Sequence, residues 1–361
     1  MEKLNLTDSA RSKLSAGARL SRDDALELYR RNDLLTLARL AREMKERKSG
    51  RKVFYRINRH INLTNICSSN CPLCAFQCRA GDQRGYTLER DDISKILDDA
   101  RTVEGLSEIH IVSALHPTKP FDYYVDVIKQ VRAALPTIEI QAFTPVEIIN
   151  FVKQTSMTIE EVLSTLIEAG LNGLPGGGAE ILSDRVRSLI CPKKATADEW
   201  IEVMRTAHRL RLKTNASMMY GHVETIEERI DHLMRLRELQ DETGGFQSML
   251  LFPFHPSNTE LGRQFDIKPV GAWENLKMLA LSRLVLDNFA HFKAFWIMLT
   301  LPIAQLSLAF GADDLDGTLG EEKIIHAAGS KEGAAISRSM LERLIREAGY
   351  EPTLRGVGEC D

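Results

Sequence analysis

Cys67, Cys71 and Cys74 are separated by three and then two residues, and with Cys78 they put four of the chain's six cysteines into twelve residues. Thiolates bind soft metals and iron–sulfur clusters, and this spacing lets one short loop aim three of them at a common centre. Three thiolates on a four-iron cluster leave one iron open to another ligand, an arrangement for catalysis rather than electron storage. A structural zinc loop would want a fourth ligand at matched spacing, a second C-x-x-C or an H-x-x-x-H, and the sequence has none. Zinc on these cysteines, or a disulfide pair, are the alternatives. Cys78, Cys191 and Cys360 read as unbound thiols.

Such a loop has to be held by a large scaffold. The chain has 361 residues, 43% hydrophobic and 27% charged, with a net charge of −3. A sizeable core is therefore available, and the absence of a basic excess argues against nucleic acid and for a small-molecule substrate. No apolar stretch follows Met1-Glu2-Lys3, and the greasiest segment, 294–310, is interrupted by Thr300, Pro302, Gln305 and Ser307. Neither a signal peptide nor a membrane span is expected, and six cysteines without a secretion signal suggest a reducing cytoplasm.

Residues 7–48 read as two or three amphipathic helices, and Val53–Leu63 alternates as a strand that delivers the cysteine loop. A cycle follows. Strands at Glu108–Val112, Ile138–Ala142, 171–174, Leu212–Ser217, Phe246–Phe252 and 294–299 alternate with helices at 88–104, 121–134, 145–154, 158–169, near 180–190, 196–210, 225–242, 271–289 and 302–310. Strands alternating with helices predict βα units on a parallel sheet, and about eight units predict an α/β fold of the TIM-type (βα) barrel kind. An open doubly wound sheet is the alternative. The expected organisation is a helical extension over 1–50, a barrel over 51–320 and a helical C-terminal extension over 321–361 packed on it.

In such a barrel the chemistry sits where strands end. Those ends hold the cysteine loop, Ser113-Ala114-Leu115-His116-Pro117, Gln141 to Thr144, Gly176-Gly177-Gly178-Ala179-Glu180, Asn215 to Glu224, Pro253 to Thr259 and a last turn, Gly311 to Thr318. The triple glycine lacks a following G-K-[ST], so close backbone approach to a ligand is the better reading than a phosphate cradle. His222 and His255 taken alone would be ordinary turn histidines about as often as functional ones; their place at strand ends raises them. The half calcium loop at Asp313, Asp314 and Asp316 lacks its Glu.

The C-x-x-x-C-x-x-C loop with aromatic Phe76 shortly after resembles the radical SAM superfamily. Leu171 to Glu180, Ile190-Cys-Pro, Ala195 to Trp200, the Tyr220-Gly-His-Val-Glu-Thr225 turn and Leu239 to Phe246 are similar to its menaquinone and deazaflavin branch. The resemblance implies a radical SAM barrel, a [4Fe-4S] cluster on Cys67, Cys71 and Cys74, and S-adenosylmethionine (SAM) consumed as co-substrate. It also implies an external electron donor such as flavodoxin or ferredoxin. Tyr220-Gly-His222, Phe254-His255-Pro256 and Gly311 to Thr318 are similar to the branch member that adds the 5′-deoxyadenosyl radical to 3-[(1-carboxyvinyl)oxy]benzoate, giving 6-amino-6-deoxyfutalosine, bicarbonate and methionine. Two sister activities, a cyclase and a deazaflavin synthase subunit, abstract a hydrogen instead and are the alternatives. On this resemblance Phe76, Ser113, Ala114, Gln141, Gly177, Gly178 and Glu180 are expected around SAM, with His116, Asn215, Met218, Tyr220, His222, Phe254, His255, Asp313 and Asp316 around the substrate. Ser113-Ala114 and Arg211 stand where relatives tend to carry glycine.

Overall fold

The computed structural model describes residues 12–14, 16–318, 320 and 322–356. Cys360 and residues 7–11 lie outside the described residues. Two capped helices, Arg22–Arg31 and Leu34–Ser49, come first. The second packs along Ala272–Val285 on the outside of the sheet.

Ten strands follow: β1 Lys52–Tyr55, β2 Asn58–Ile61, β3 Glu108–Ile111, β4 Glu139–Ala142, β5 Gly173–Leu174, β6 Lys213–Tyr220, β7 Phe246–Pro253, β8 His291–Ala294, β9 Asp314–Leu315 and β10 Glu351–Leu354. They form one sheet in the order β10-β1-β9-β8-β7-β6-β5-β4-β3-β2, with every pairing parallel. The expected strand Val53–Leu63 is thus split. Its first half pairs with β9 and β10, and its second half with β3 at the other end of the sheet. Only Arg56 and Ile57 separate the halves, so the two ends of the β2-to-β9 run lie within a few residues' reach. A flat doubly wound sheet cannot satisfy that constraint; the sheet curls into a barrel.

Helices cross over between the strands, and several start from the same local signal. Thr144, Thr158, Thr196 and Thr225 each precede a Glu three residues on, and each Glu carboxylate accepts the backbone N–H of its Thr. This reciprocal capping satisfies donors that a helix start leaves orphaned. Apolar residues pack between strands and helices in two clusters. The interior of the barrel is polar by contrast. Along β2, β3, β4 and β8 the inward positions hold Asn58 and His60, Glu108 and His110, Glu139 and Gln141, and His291 and Lys293, most of them buried. Arg56 bridges Glu108 and Glu139 at the bottom.

Three further elements differ from expectation. The strand expected at 294–299 is β8 at His291–Ala294, and Trp296–Leu299 is a short helix. Its inward His291 and Lys293 break the apolar pattern because they are paired with Asp313 and Asp316, which flank the neighbouring strand β9. Those aspartates belong to the second difference, since the expected last turn contains strand β9. The C-terminal segment expected to be helical has helices at Lys323–Ala328 and Arg338–Glu347, then β10, which lies parallel to β1.

Candidate active site

The cysteine loop leaves β2 and is folded back on itself by the Thr64–Thr87 and Ile66–Cys78 bridges. The Cys67 N–H donates to Cys78 O at 2.9 Å and the Cys74 N–H to Cys71 O at 3.0 Å. Cys78 points away from its neighbours' centre and takes a hydrogen bond from Asn65 Nδ2 at 3.3 Å. Cys67, Cys71 and Cys74 instead line a cavity of about 270 Å³ at the C-terminal ends of the strands. Among the described residues no three Cys, His, Asp or Glu side chains converge on a single metal-ion position. A four-iron cluster spreads its thiolates over separate irons.

Burial pushes the Cys71 thiol up to about 12 and raises Cys74 as well. Three further observations fit a cluster carrying SAM. Ser113 Oγ on the cavity wall is buried without a hydrogen-bond partner. A Cβ on Gly176 would sit 2.6 Å from Asn215 O and one on Gly177 3.0 Å from Thr144, so this lining is bare backbone by necessity. Glu180, with φ of 46°, holds its carboxylate in the cavity from a left-handed backbone position that a non-glycine residue occupies at a cost.

Glu180 Oε1 accepts from Lys194 Nζ at 2.7 Å, a buried pair beside the thiols. Burial alone would raise the Glu180 carboxyl; Lys194 overrides it and holds the group below the usual carboxylate range. In the same pair, burial works to strip the Lys194 proton and Glu180 keeps it, well above the ordinary lysine range. Across the cavity Glu147 caps the helix Pro145–Thr155 and also accepts the Ser113 N–H at 2.8 Å, tying two strand ends together. Burial pushes its carboxyl up to about 7 against those donors.

Of the residues expected at the site, the cavity brings together the three cysteines, Phe76, Ser113, Ala114, Gly177, Gly178, Glu180, Asn215 and Asp316. Phe76 lies edge-on to Tyr86 with ring centres 6.4 Å apart. Eight expected residues are elsewhere. Met218 and Tyr220 are on the outward face of β6, whose inward residues are Asn215, Ser217 and Met219; Tyr220 donates to Asn275 Oδ1 at 2.7 Å in the helical layer. Gln141 faces inward but is not part of the cavity lining; its amide lies against Glu139 and Gly173. His222 is a buried turn residue between Glu224 and Met219 O, stacked edge-on to Phe254. His255 bonds Met298 O, and His116 Nδ1 accepts from the N–H groups of Thr118 and Lys119 in its own loop. Asp313 is wholly buried at the opposite end of β9, bound by His291 and near Arg283.

Sequence reasoning missed Lys194, Glu147, His60, His110 and the Glu322–Ile325 segment, all of which line the cavity. The Thr-x-x-Glu signal could have found Glu147. The in-phase His60 and His110, two residues before the ends of their inward faces, could have been found from strand parity.

The barrel, the three-thiol loop and the cavity they share define a radical SAM enzyme. Residues 61–236 match the radical SAM superfamily model and residues 243–358 the CofH/MqnC C-terminal region. The chain belongs to the radical SAM superfamily. It is 44% identical to the aminodeoxyfutalosine synthase of Thermus thermophilus over 95% of this chain and 92% of the relative. Identity is 40% to the aminodeoxyfutalosine synthase of Streptomyces coelicolor, covering 96% and 91%. A 5-amino-6-(D-ribitylamino)uracil–L-tyrosine 4-hydroxyphenyl transferase of Methanococcoides burtonii is 38% identical, covering 93% and 94%. Among solved structures, methylornithine synthase superposes with a TM-score of 0.75 at 18% identity, covering 96% and 97%. The hydrogenase maturase HydG of Carboxydothermus hydrogenoformans gives 0.72 at 15%, covering 98% and 80%; both likenesses are of fold.

Proposed function

We propose that the chain has aminodeoxyfutalosine synthase activity: it joins the 5′-deoxyadenosyl group of SAM to 3-[(1-carboxyvinyl)oxy]benzoate, yielding 6-amino-6-deoxyfutalosine, bicarbonate and methionine. The observation that carries this reading is the near full-length identity of 44% and 40% to two aminodeoxyfutalosine synthases. The cavity agrees with it, because the thiol loop and the apolar wall of Leu250, Phe252, Phe295 and Met298 face one space.

A [4Fe-4S] cluster on Cys67, Cys71 and Cys74 would supply the electron that cleaves SAM, delivered by an external donor of the flavodoxin or ferredoxin type. Phe76 covers the loop. Ser113, Ala114, Gly177 and Gly178 offer backbone and a free hydroxyl to the methionine and adenosyl groups, and Glu180, held ionised by Lys194, accepts from an ammonium or a ribose hydroxyl. Asn215 and Asp316 face the aryl substrate, and the apolar wall excludes water from the adduct. Residues 51–320 would then form the catalytic barrel, with 1–50 and 321–361 as extensions. Among the described residues no helix is long and apolar enough to cross a membrane. A reducing cytoplasm suits the free thiols.

The test is product mass. Anaerobically reconstituted protein given SAM and the aryl enol ether should release an adduct that retains adenine. Free 5′-deoxyadenosine as the only nucleoside product would favour a hydrogen-abstracting activity instead.

A further inference from the structure

Below the cysteine loop, the cavity floor is formed by two imidazoles. His60 of β2 and His110 of β3 occupy paired positions in the register and stack with centroids 4.6 Å apart and planes 21° from parallel. Both rings line the cavity, and His60 Nε2 is buried with no hydrogen-bond partner. A buried polar nitrogen left unpaired costs on the order of 1–3 kcal/mol, so its persistence in a ligand cavity points to a ligand group that completes it.

The charges around the pair say what that group is. Facing the two rings are Asp316 just after β9, Lys293 from β8 and Glu108 from β3. Lys293 is paired to Asp316 at 3.2 Å, and Arg56 is shared between Glu108 and Glu139, so neither of these cations is free to meet an anion. The cavity wall above it carries the acids Glu147, Glu180 and Glu322, the first and last with their carboxyls raised by burial, against one ammonium, Lys194, which Glu180 already holds. An aryl substrate with two carboxylates therefore meets a wall with no free cation. Among the described lining residues, His60 and His110 are the remaining groups able to acquire positive charge.

We infer that the His60–His110 stack receives a carboxylate of the aryl substrate and takes up one proton from solvent as it does so. This rests on the proposed activity and names the part of the site that sets its preference for an anionic aryl group. The pair shares a single proton, because two imidazolium rings at this separation would repel. In the ligand-free site burial keeps both rings neutral, with His60 down to about 3 and His110 also lowered. The incoming anion reverses that balance.

The experiment is calorimetric binding of the aryl enol ether to cluster-loaded enzyme in two buffers of different ionisation heat. Wild type should take up about one proton near pH 7, and its Kd should rise about tenfold per pH unit as pH increases. His60→Gln, and separately His110→Gln, should weaken binding about ten- to a hundredfold and abolish the uptake, with cluster absorbance and SAM binding retained. Binding without proton uptake, or wild-type affinity in His60→Gln, overturns the inference while leaving the proposed activity standing. Wild-type enzyme that binds SAM but not the aryl compound overturns both.

Discussion

Replacing Lys194 with methionine tests how the site holds its charges. The substitution keeps most of the side chain's length, ends it one atom short, and removes the ammonium that lies 2.7 Å from Glu180. Breaking one side of a buried pair costs about 3–5 kcal/mol, since the surviving charge is left without compensation. A fifth of the Lys194 side chain is open to the cavity, against 7% for Glu180, which places the expected loss near the lower end, about 3 kcal/mol. At about 2 °C per kcal/mol for a chain of this length, melting should fall by about 6 °C. Glu180→Gln added to Lys194→Met should restore roughly half of this, because the neutral amide no longer needs a countercharge.

The pH dependence has a definite sign. In the wild type the Glu180 carboxyl is depressed, so its contribution is present above the unfolded carboxylate range and is lost as pH falls from there through its own lower value. Without Lys194, burial dominates and raises the same carboxyl, so the variant is least stable at neutral pH and recovers as pH falls. The gap between wild type and variant should therefore narrow from pH 7 to pH 5. Circular dichroism melts of anaerobically prepared, cluster-loaded proteins across that range measure it. A loss under 1 °C, a double variant as unstable as the single one, or a gap that does not change with pH would refute the reasoning.

Three other outcomes are expected. Cys71→Ala should lose the brown iron–sulfur absorption and SAM cleavage, whereas Cys78→Ala and Cys191→Ala should keep both, as visible spectra and nucleoside analysis will report. Met219→Ala should raise KM for the aryl substrate with little loss of stability, and Met218→Ala, on the packed face of β6, should cost about 2–5 kcal/mol and leave KM unchanged. Arg211, at φ of 62°, occupies a left-handed position that follows the helix Ala197–Arg209, so Arg211→Gly should stabilise by about 0.5–1 kcal/mol, read as a higher melting temperature.

The chemistry of the cysteine loop was fully local and therefore legible: spacing alone sets which thiols a short loop can aim together, and the chain places Cys67, Cys71 and Cys74 in the cavity with Cys78 turned away. The βα alternation was legible for the same reason, because helical and strand periods and Thr-x-x-Glu caps act over a few residues. A barrel was expected from the number of βα units, but the pairing that closes it was not legible, since it depends on the two halves of 52–61 pairing with opposite ends of the sheet. Nor was the site's floor. Strand-end position singled out Met218, Tyr220 and His222, and one residue of parity along β6 sent the first two into the helical layer. That same parity sent His60, His110, Lys293 and Asp316 into a polar interior, where sequence-distant charges satisfy one another. The sequence by itself determined that a cluster could be bound and roughly where the strands run. Tertiary structure decided which side chains share the cavity with that cluster, because burial and charge pairing are set by elements far apart in the chain, as where β1 pairs with β9 and β10.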